Sequence, residues 1–260
     1  MALNADWSTP LEHTMSEAAR ERIVAVIPAR LASTRLPGKV LRPIAGVPML
    51  GWVYRAALAC PQLNQVLIAT DSSEVVAFAD SQGWPSVMTS HTLASGTDRV
   101  NAVAALVDAD IYVNIQGDEP LLRPEHIDSL LRPFARTDAQ VTTLSTPCTP
   151  DEINDSNAVK VVTANDGRAL YFSRASIPYQ RGTPLTPRKH IGIYAYRKAA
   201  LRRFAELAPS PLESVERLEQ LRLLEEGISI YVMHTPFDTI GVDTEEDLLA
   251  AERILRERAG

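Results

Sequence analysis

The chain has 260 residues, 45% hydrophobic and 22% charged, with a net charge of −6 at pH 7. That composition is globular and large enough for a full core, and the acidic balance excludes a broad basic surface for nucleic acid. No apolar run approaches the roughly 18 residues of a membrane span, and two cysteines, Cys60 and Cys148, match no zinc pattern or disulfide scaffold, so a cytoplasmic protein is expected.

Residues 1–21 are polar and lack the apolar stretch of a signal peptide, so they read as an extension, poorly ordered or briefly helical, with Met15 as an alternative start. Residues 22–260 read as a single domain. Arg22 to Pro28 is an apolar, β-branched strand. Pro48 to Cys60 is a helix with Pro in its first turn. Gln65 to Thr70 is a strand, and Ser72 to Gln82 a helix capped by Ser72. Thr97 to Asp108 is helical, Ile111 to Ile115 is a strand, Pro124 to Phe134 is helical and Gln140 to Ser145 is a strand.

This alternation predicts a three-layer α/β fold on a mostly parallel sheet. Ligands of such sheets lie beyond the carboxyl ends of the strands. Asp71, Asp118 and the segment IPARLASTRLPGK all follow strand ends. After Pro147 the pattern changes. Ala158–Thr163, Ala169–Phe172 and His190–Tyr196 are strand-like, and they predict an antiparallel insertion at about 157–200. Tyr179 to Lys189 is a Pro- and Arg-rich loop. Leu212 to Glu226 reads as one amphipathic helix, with apolar residues at 212, 215, 218, 221 and 224 and Gly227 as its stop. Ile228–Met233 is a strand, and Thr244–Arg258 a final helix capped by Asp243 or Thr244.

The segment Ile27–Lys39 carries Arg30, Arg35 and Lys39, the hydroxyls of Ser33 and Thr34, and no acid. On an acidic protein such a segment is either a basic surface loop or a holder for a small anion. Arginines grip phosphate oxygens in fork geometry, lysine adds a point charge, and Gly38 lets the backbone come close. Neither G-x-G-x-x-G nor G-x-x-x-x-G-K-[ST] is present, which disfavours a dinucleotide dehydrogenase and a P-loop NTPase.

The motif Pro28-Ala-Arg-x-x-Ser-x-Arg-Leu-Pro-Gly-Lys39 resembles the sugar nucleotidyltransferases that make CMP-activated acid sugars. ATD (Ala69–Asp71), SGTDRV (Ser95–Val100), VNIQGDEP (Val113–Pro120), NAVKVV (Asn157–Val162), ALYFSRASIPY (Ala169–Tyr179), HIGIYAYRK (His190–Lys198), PLESVERLEQLRLLE (Pro211–Glu225) and GVDTEEDL (Gly241–Leu248) narrow the resemblance. It is to the CMP-Kdo synthetase (3-deoxy-manno-octulosonate cytidylyltransferase) family, and it runs from about Arg22 to the last helix.

The resemblance implies a homodimeric, magnesium-dependent enzyme. It would join CTP to Kdo, release pyrophosphate and serve lipopolysaccharide synthesis. Arg30, Ser33, Arg35 and Lys39 would hold the phosphates, with Arg35, Lys39 and Asp118 catalytic. Pro28, Ala29, Ala69, Asp71, Ser95, Thr97, Arg99 and Gln116 would line the nucleotide. Gln116, Arg174, His190, Tyr194, Glu219 and Gln220 would meet the sugar, with an arginine for its carboxylate. Asp118 and Asp243 would hold Mg2+.

Read without the resemblance, Asp243 is equally a helix cap, Asp118 a turn residue with Glu119 as its competitor, His190 a packed ring, and Glu216 solvent-facing. Another acid sugar as acceptor, or a non-catalytic nucleotide binder on the same fold, are the alternatives.

Overall fold

In the computed structural model of the chain, residues 21–33, 35–135 and 138–259 are described. Apart from Glu21, the expected N-terminal extension lies outside them, as does Thr34. The chain divides into two compact units, Arg22–Asp128 with Asp238–Gly260, and Ser129–Phe237.

In the first unit, the run after Arg22 forms strand β1 (Ile23–Pro28), buried from Val24 onward. A short hairpin follows, β2 (Pro43–Ile44) and β3 (Val47–Pro48), and leads into helix α1 (Met49–Leu58). Strand β4 (Gln65–Thr70) then precedes α2 (Ser73–Ser81), where the Ser72 hydroxyl accepts from the Val75 amide as the expected cap. The short β5 (Ser86–Met88) was not legible in the sequence. Helix α3 (Gly96–Ala104) ends four residues before the expected Asp108. Strand β6 (Ile111–Asn114) and helix α4 (Pro124–Leu131) complete this part. β1 pairs in parallel with β4 and with β6, and β4 pairs in parallel with β5. Pro28, Thr70 and Asn114 therefore end their strands in one direction, and the segments that follow them emerge at one rim.

Two local features fix that rim. Gly117 donates its amide to Pro28 O at 3.2 Å, and a Cβ on Gly117 would lie 2.8 Å from that same oxygen. Only glycine lets the turn after β6 approach β1 so closely. Gly117→Ala is expected to cost about 1–3 kcal/mol through overpacking and to lower the thermal midpoint. A midpoint equal to that of the parent protein would contradict this close approach.

The second unit begins with strand β7 (Val141–Pro147). Strands β8 (Lys160–Thr163), β9 (Ala169–Ser173) and β10 (Arg188–Arg197) follow. β10 pairs antiparallel with β7 and β8, and β8 with β9. These are the antiparallel strands the sequence predicts. Helix α5 (Lys198–Glu206), absent from the sequence reading, comes next.

The expected single helix over 212–226 is instead two, α6 (Pro211–Glu216) and α7 (Leu221–Glu225). Arg217 between them is left-handed (φ 54°), with its amide on Glu213 O, so the helical path cannot continue. The apparent stripe is broken accordingly, since Val215 is exposed while Leu218 and Leu221 are buried. Gly227 (φ +72°) follows α7, in the place expected for the stop. Strand β11 (Ile230–His234) pairs in parallel with β7.

Residues from Asp238 onward return to the first unit and end in helix α8 (Glu245–Ala259). Thr244 is its cap: its hydroxyl accepts from the Asp247 amide, and the Asp247 carboxylate accepts from the Thr244 amide. Leu36, Ile44, Met49, Leu121, Val242, Leu248, Ala251 and Leu255 form one buried cluster beneath this helix. Each such large side chain contributes about 1.5–3 kcal/mol on burial. Leu36 adjoins Arg35, Leu121 lies three residues after Asp118, and Val242 precedes Asp243. The cluster thus anchors three charged positions that are far apart in sequence. A mainly parallel sheet with helices, joined in one chain to an antiparallel sheet, is the expected α/β nucleotidyltransferase fold.

Candidate active site

The basic loop leaves β1 at Ala29, whose amide is held by Ala69 O at 2.9 Å. It closes on itself through the Gly38 amide and Leu31 O, 3.2 Å apart, with Gly38 in the left-handed region at φ +67°. The Ser33 hydroxyl accepts from the Leu36 amide at 3.3 Å. The loop is therefore shaped by its own hydrogen bonds, and its cations are carried outward from a fixed base.

Lys39 is the centre of the charge cluster. Its Nζ donates to Asp118 Oδ2 at 2.6 Å, to Asp243 Oδ1 at 2.8 Å and to Val242 O at 3.2 Å. Arg35 reaches the other oxygen of Asp243 at 2.8 Å. The Asp118 turn and the Asp243 segment are tied together by the Val242 amide on Asp118 O, 2.9 Å. Partial burial works against the Lys39 charge, but Asp118 and Asp243 outweigh it and hold the ammonium above its ordinary range. Burial likewise opposes the Asp243 charge, and Lys39 with Arg35 still depresses its pKa.

These groups line a cleft of about 340 Å³ together with Pro28, Arg30, Ser33, Gly96, Gln116 and Gly117. Three cations, Arg30, Arg35 and Lys39, face two carboxylates there, so the cleft is net positive on an acidic chain. That polarity suits a polyanion. Arg30 uses one nitrogen on Leu93 O at 2.5 Å. Glu119, the competitor of Asp118, is buried.

Several of the residues expected at the nucleotide also bond within the chain. Arg99 is fully buried, bonded to Asp71 Oδ2 at 2.6 Å and to Thr89 Oγ1 at 2.5 Å. Asp71 and Arg99 thus partner one another, 28 residues apart, and Arg99 does not line the cleft. Ser95 caps α3 in a reciprocal box with Asp98. Thr97 is fully buried and accepts from Asn114, which in turn accepts from the Gln116 amide at 3.2 Å. Gln116 does line the cleft, as expected. Gly96, which also lines it, was missed; its place directly after a cap residue at a strand-to-helix turn was the available signal.

The expected sugar residues Arg174, His190, Tyr194, Glu219 and Gln220 all belong to the second unit. A bulge in β10 between Ile191 and Tyr194 leaves the His190 and Tyr194 rings 5.4 Å apart. A side chain on Gly192 between them would meet nothing within 4 Å. Among the described residues, the Tyr194 hydroxyl and the Gln220 amide nitrogen are buried with no partner in good hydrogen-bond geometry. Burial first, then the neighbouring Tyr196 and Glu219, drive the Tyr194 pKa well above its ordinary value.

The Arg174 guanidinium donates to the carbonyls of Glu216, Ser156 and Arg217. Those three bonds leave one N–H on each terminal nitrogen for a ligand such as a sugar carboxylate. Glu216 is not simply solvent-facing, because it accepts from the Ser173 hydroxyl at 2.6 Å and from the Arg174 amide at 2.9 Å.

His190 Nε2 lies 3.0 Å from Thr143 Oγ1, and the Thr143 hydroxyl is directed to the carbonyls of Ile191 and Ile193. Desolvation pushes the His190 pKa from 6.5 down to about 3. The unfolded chain therefore takes up this proton first, and the stabilisation is complete above pH 6.5 and lost as pH falls toward 3. His190→Gln is expected to flatten the fall in denaturation midpoint between pH 7 and pH 4.5. Equal pH slopes in both proteins would contradict this assignment.

The sequence model described as cytidylyltransferase matches residues 24–230. A 3-deoxy-manno-octulosonate cytidylyltransferase of Acidobacterium capsulatum is 66% identical over 238 residues, covering 91% of this chain and 97% of its own. One of Koribacter versatilis is 54% identical over 244 residues, covering 93% of each. A solved CMP:2-keto-3-deoxy-manno-octonic acid synthetase complexed with CTP superposes with a TM-score of 0.87 at 40% identity, covering 91% of this chain and 99% of its own. The chain belongs to the 3-deoxy-manno-octulosonate cytidylyltransferase family.

Proposed function

We infer that the chain transfers the cytidylyl group of CTP to the anomeric 2-hydroxyl of 3-deoxy-manno-octulosonate, releasing pyrophosphate. The observation that carries this reading is the cleft where Arg30, Arg35 and Lys39 meet Asp118 and Asp243 at the strand-end rim. Displacement at a phosphate is driven by positioning and charge neutralisation, so no covalent nucleophile is required. Arg30 and Arg35 bind phosphate oxygens, and Lys39 meets charge that builds on the departing pyrophosphate. The Thr97–Asn114–Gln116 chain fixes the Gln116 amide at the cleft wall.

Asp118 and Asp243 fit a divalent cation, because their oxygens already converge on one cationic nitrogen and hard oxygen donors suit magnesium. We propose that they hold Mg2+, which when bound neutralises the α-phosphate and acidifies the attacking hydroxyl.

In the second unit, the buried Tyr194 hydroxyl and Gln220 amide nitrogen, without a well-aligned partner among the described residues, support a polyol-binding role beside His190 and Glu219. His190→Ala and Glu219→Ala are expected to raise the apparent constant for the sugar about tenfold, in line with one or two lost hydrogen bonds. CTP binding measured by calorimetry should stay unchanged, and equal loss of CTP affinity would contradict this division of roles.

We also propose a homodimer, supported by the exposed Leu170, Tyr179, Leu185 and Val215 of the second unit. Light scattering at micromolar concentration tests it, and a monomer there would refute it. The product is proposed to serve lipopolysaccharide assembly from the cytoplasm. Two buried free cysteines, and no described helix long and apolar enough to cross a membrane, are consistent with that placement.

A further inference from the structure

Outside the triphosphate cleft and the proposed sugar residues, the second unit holds another polar cluster. Ser145, on β7, is completely buried, whereas His234 at the end of β11 is exposed and Arg188 at the start of β10 is partly buried. Three strands that meet side by side therefore present one residue each. Ser145 Oγ lies 2.9 Å from His234 Nδ1 and accepts from Arg188 Nε at 3.0 Å; a second Arg188 nitrogen donates to Ser145 O at 3.2 Å.

A guanidinium only donates, so the Ser145 hydroxyl accepts from Arg188. In the tautomer in which that hydroxyl donates to Nδ1, the neutral His234 ring carries its proton on Nε2. That arrangement leaves Arg188 Nη1 and His234 Nε2 as two N–H donors not used by Ser145. Among the described residues the Arg188 guanidinium is bonded to Ser145 and to no carboxylate, and burial lowers its pKa. A partly desolvated guanidinium without a counter-ion is costly, and an anion supplied from outside the chain offsets that cost. His234 keeps solvent contact, yet partial desolvation of its ring, then the Arg188 charge, lowers its pKa to about 4, so the ring is neutral near pH 7. In that form it is a hydrogen-bond donor without being a second cation.

We propose that Arg188 and His234, wired together through buried Ser145, form an oxyanion-binding site for a carboxylate or phosphate group. Arg188 supplies the charge, His234 a directional N–H, and Ser145 sets the orientation of both. The site uses none of the residues assigned above to nucleotide, sugar or metal.

The test follows the ring resonances of His234 by NMR in the full-length protein, titrated in separate arms with inorganic phosphate and with 3-deoxy-manno-octulosonate. A saturable shift in either arm is expected, with equal concentrations of chloride producing none. A shift with phosphate alone assigns the site to a free anion, and a shift with the sugar acid alone assigns it to the substrate carboxylate. Arg188→Gln should weaken the binding at least tenfold, as for loss of a charge-assisted contact. Ser145→Ala, which leaves both donors in place, should weaken it about threefold to tenfold by freeing their orientation. If neither anion moves the His234 resonances, or if Arg188→Gln binds as the parent does, the proposal is wrong. Because the readout is binding at His234, it stands or falls independently of turnover with CTP.

Discussion

Asp118→Asn and Asp243→Asn should each lower turnover by about 100-fold or more, a loss typical of removing one electrostatic element from a phosphoryl-transfer site. The folds should survive, because both side chains sit on polar turns at the rim, with 29% and 43% of their surface exposed. The two variants should differ in one respect. Asp243 also holds Arg35, so its loss frees two cations, whereas Asp118 contacts Lys39 alone among the cations of the loop. Asp243→Asn is therefore expected to retain or gain affinity for CTP in the absence of metal, while losing catalysis. The check is pyrophosphate release against magnesium concentration, beside calorimetric CTP binding in EDTA. Near-parental turnover in either variant, or in excess EDTA, would overturn the metal assignment.

The cations of the loop should separate by burial. Lys39 is only 14% exposed and sits between two carboxylates, so Lys39→Met removes the cation they share and leaves their charge to Arg35 and the proposed Mg2+. Its expected cost is about 100-fold in kcat/KM, the upper range for a charge-assisted contact. Arg35 is 63% exposed, and solvent screens it. Arg35→Ala should cost about tenfold in CTP affinity, and Arg35→Lys should recover only part of that because the fork geometry is lost. Unchanged CTP binding in Arg35→Ala would reduce the segment to a basic surface loop.

The parallel strands were legible because short β-branched runs ending in polar turns have few other uses. The rim position of Asp118 and of the basic loop followed from strand direction alone. Asp243 was less legible, since it and Thr244 both offer a capping oxygen. Glu246 and Asp247 stand three residues beyond Asp243 and Thr244 respectively, so the spacing fits both, and the reciprocal Thr244–Asp247 bonds decide for Thr244. The stretch 212–226 misled because an i, i+3 apolar spacing mimics one amphipathic face. Nothing local marked Arg217 as left-handed, and two exposed apolar residues resemble a buried stripe until the backbone is seen. Long-range pairing was the least legible. The Asp71–Arg99 pair and the hold of Arg174 on three carbonyls depend on which side chains the fold brings together, and residue type alone shows neither.

Transfer of a cytidylyl group to an acid sugar is tested in a single assay. Purified full-length protein is incubated with CTP, magnesium and a panel of 2-keto-3-deoxy sugar acids, and pyrophosphate release is followed beside formation of the CMP-linked sugar. One equivalent of pyrophosphate per CMP-linked sugar is expected, fastest with 3-deoxy-manno-octulosonate and absent without a sugar. Protein that binds CTP and magnesium yet releases no pyrophosphate with any member of the panel would contradict the account.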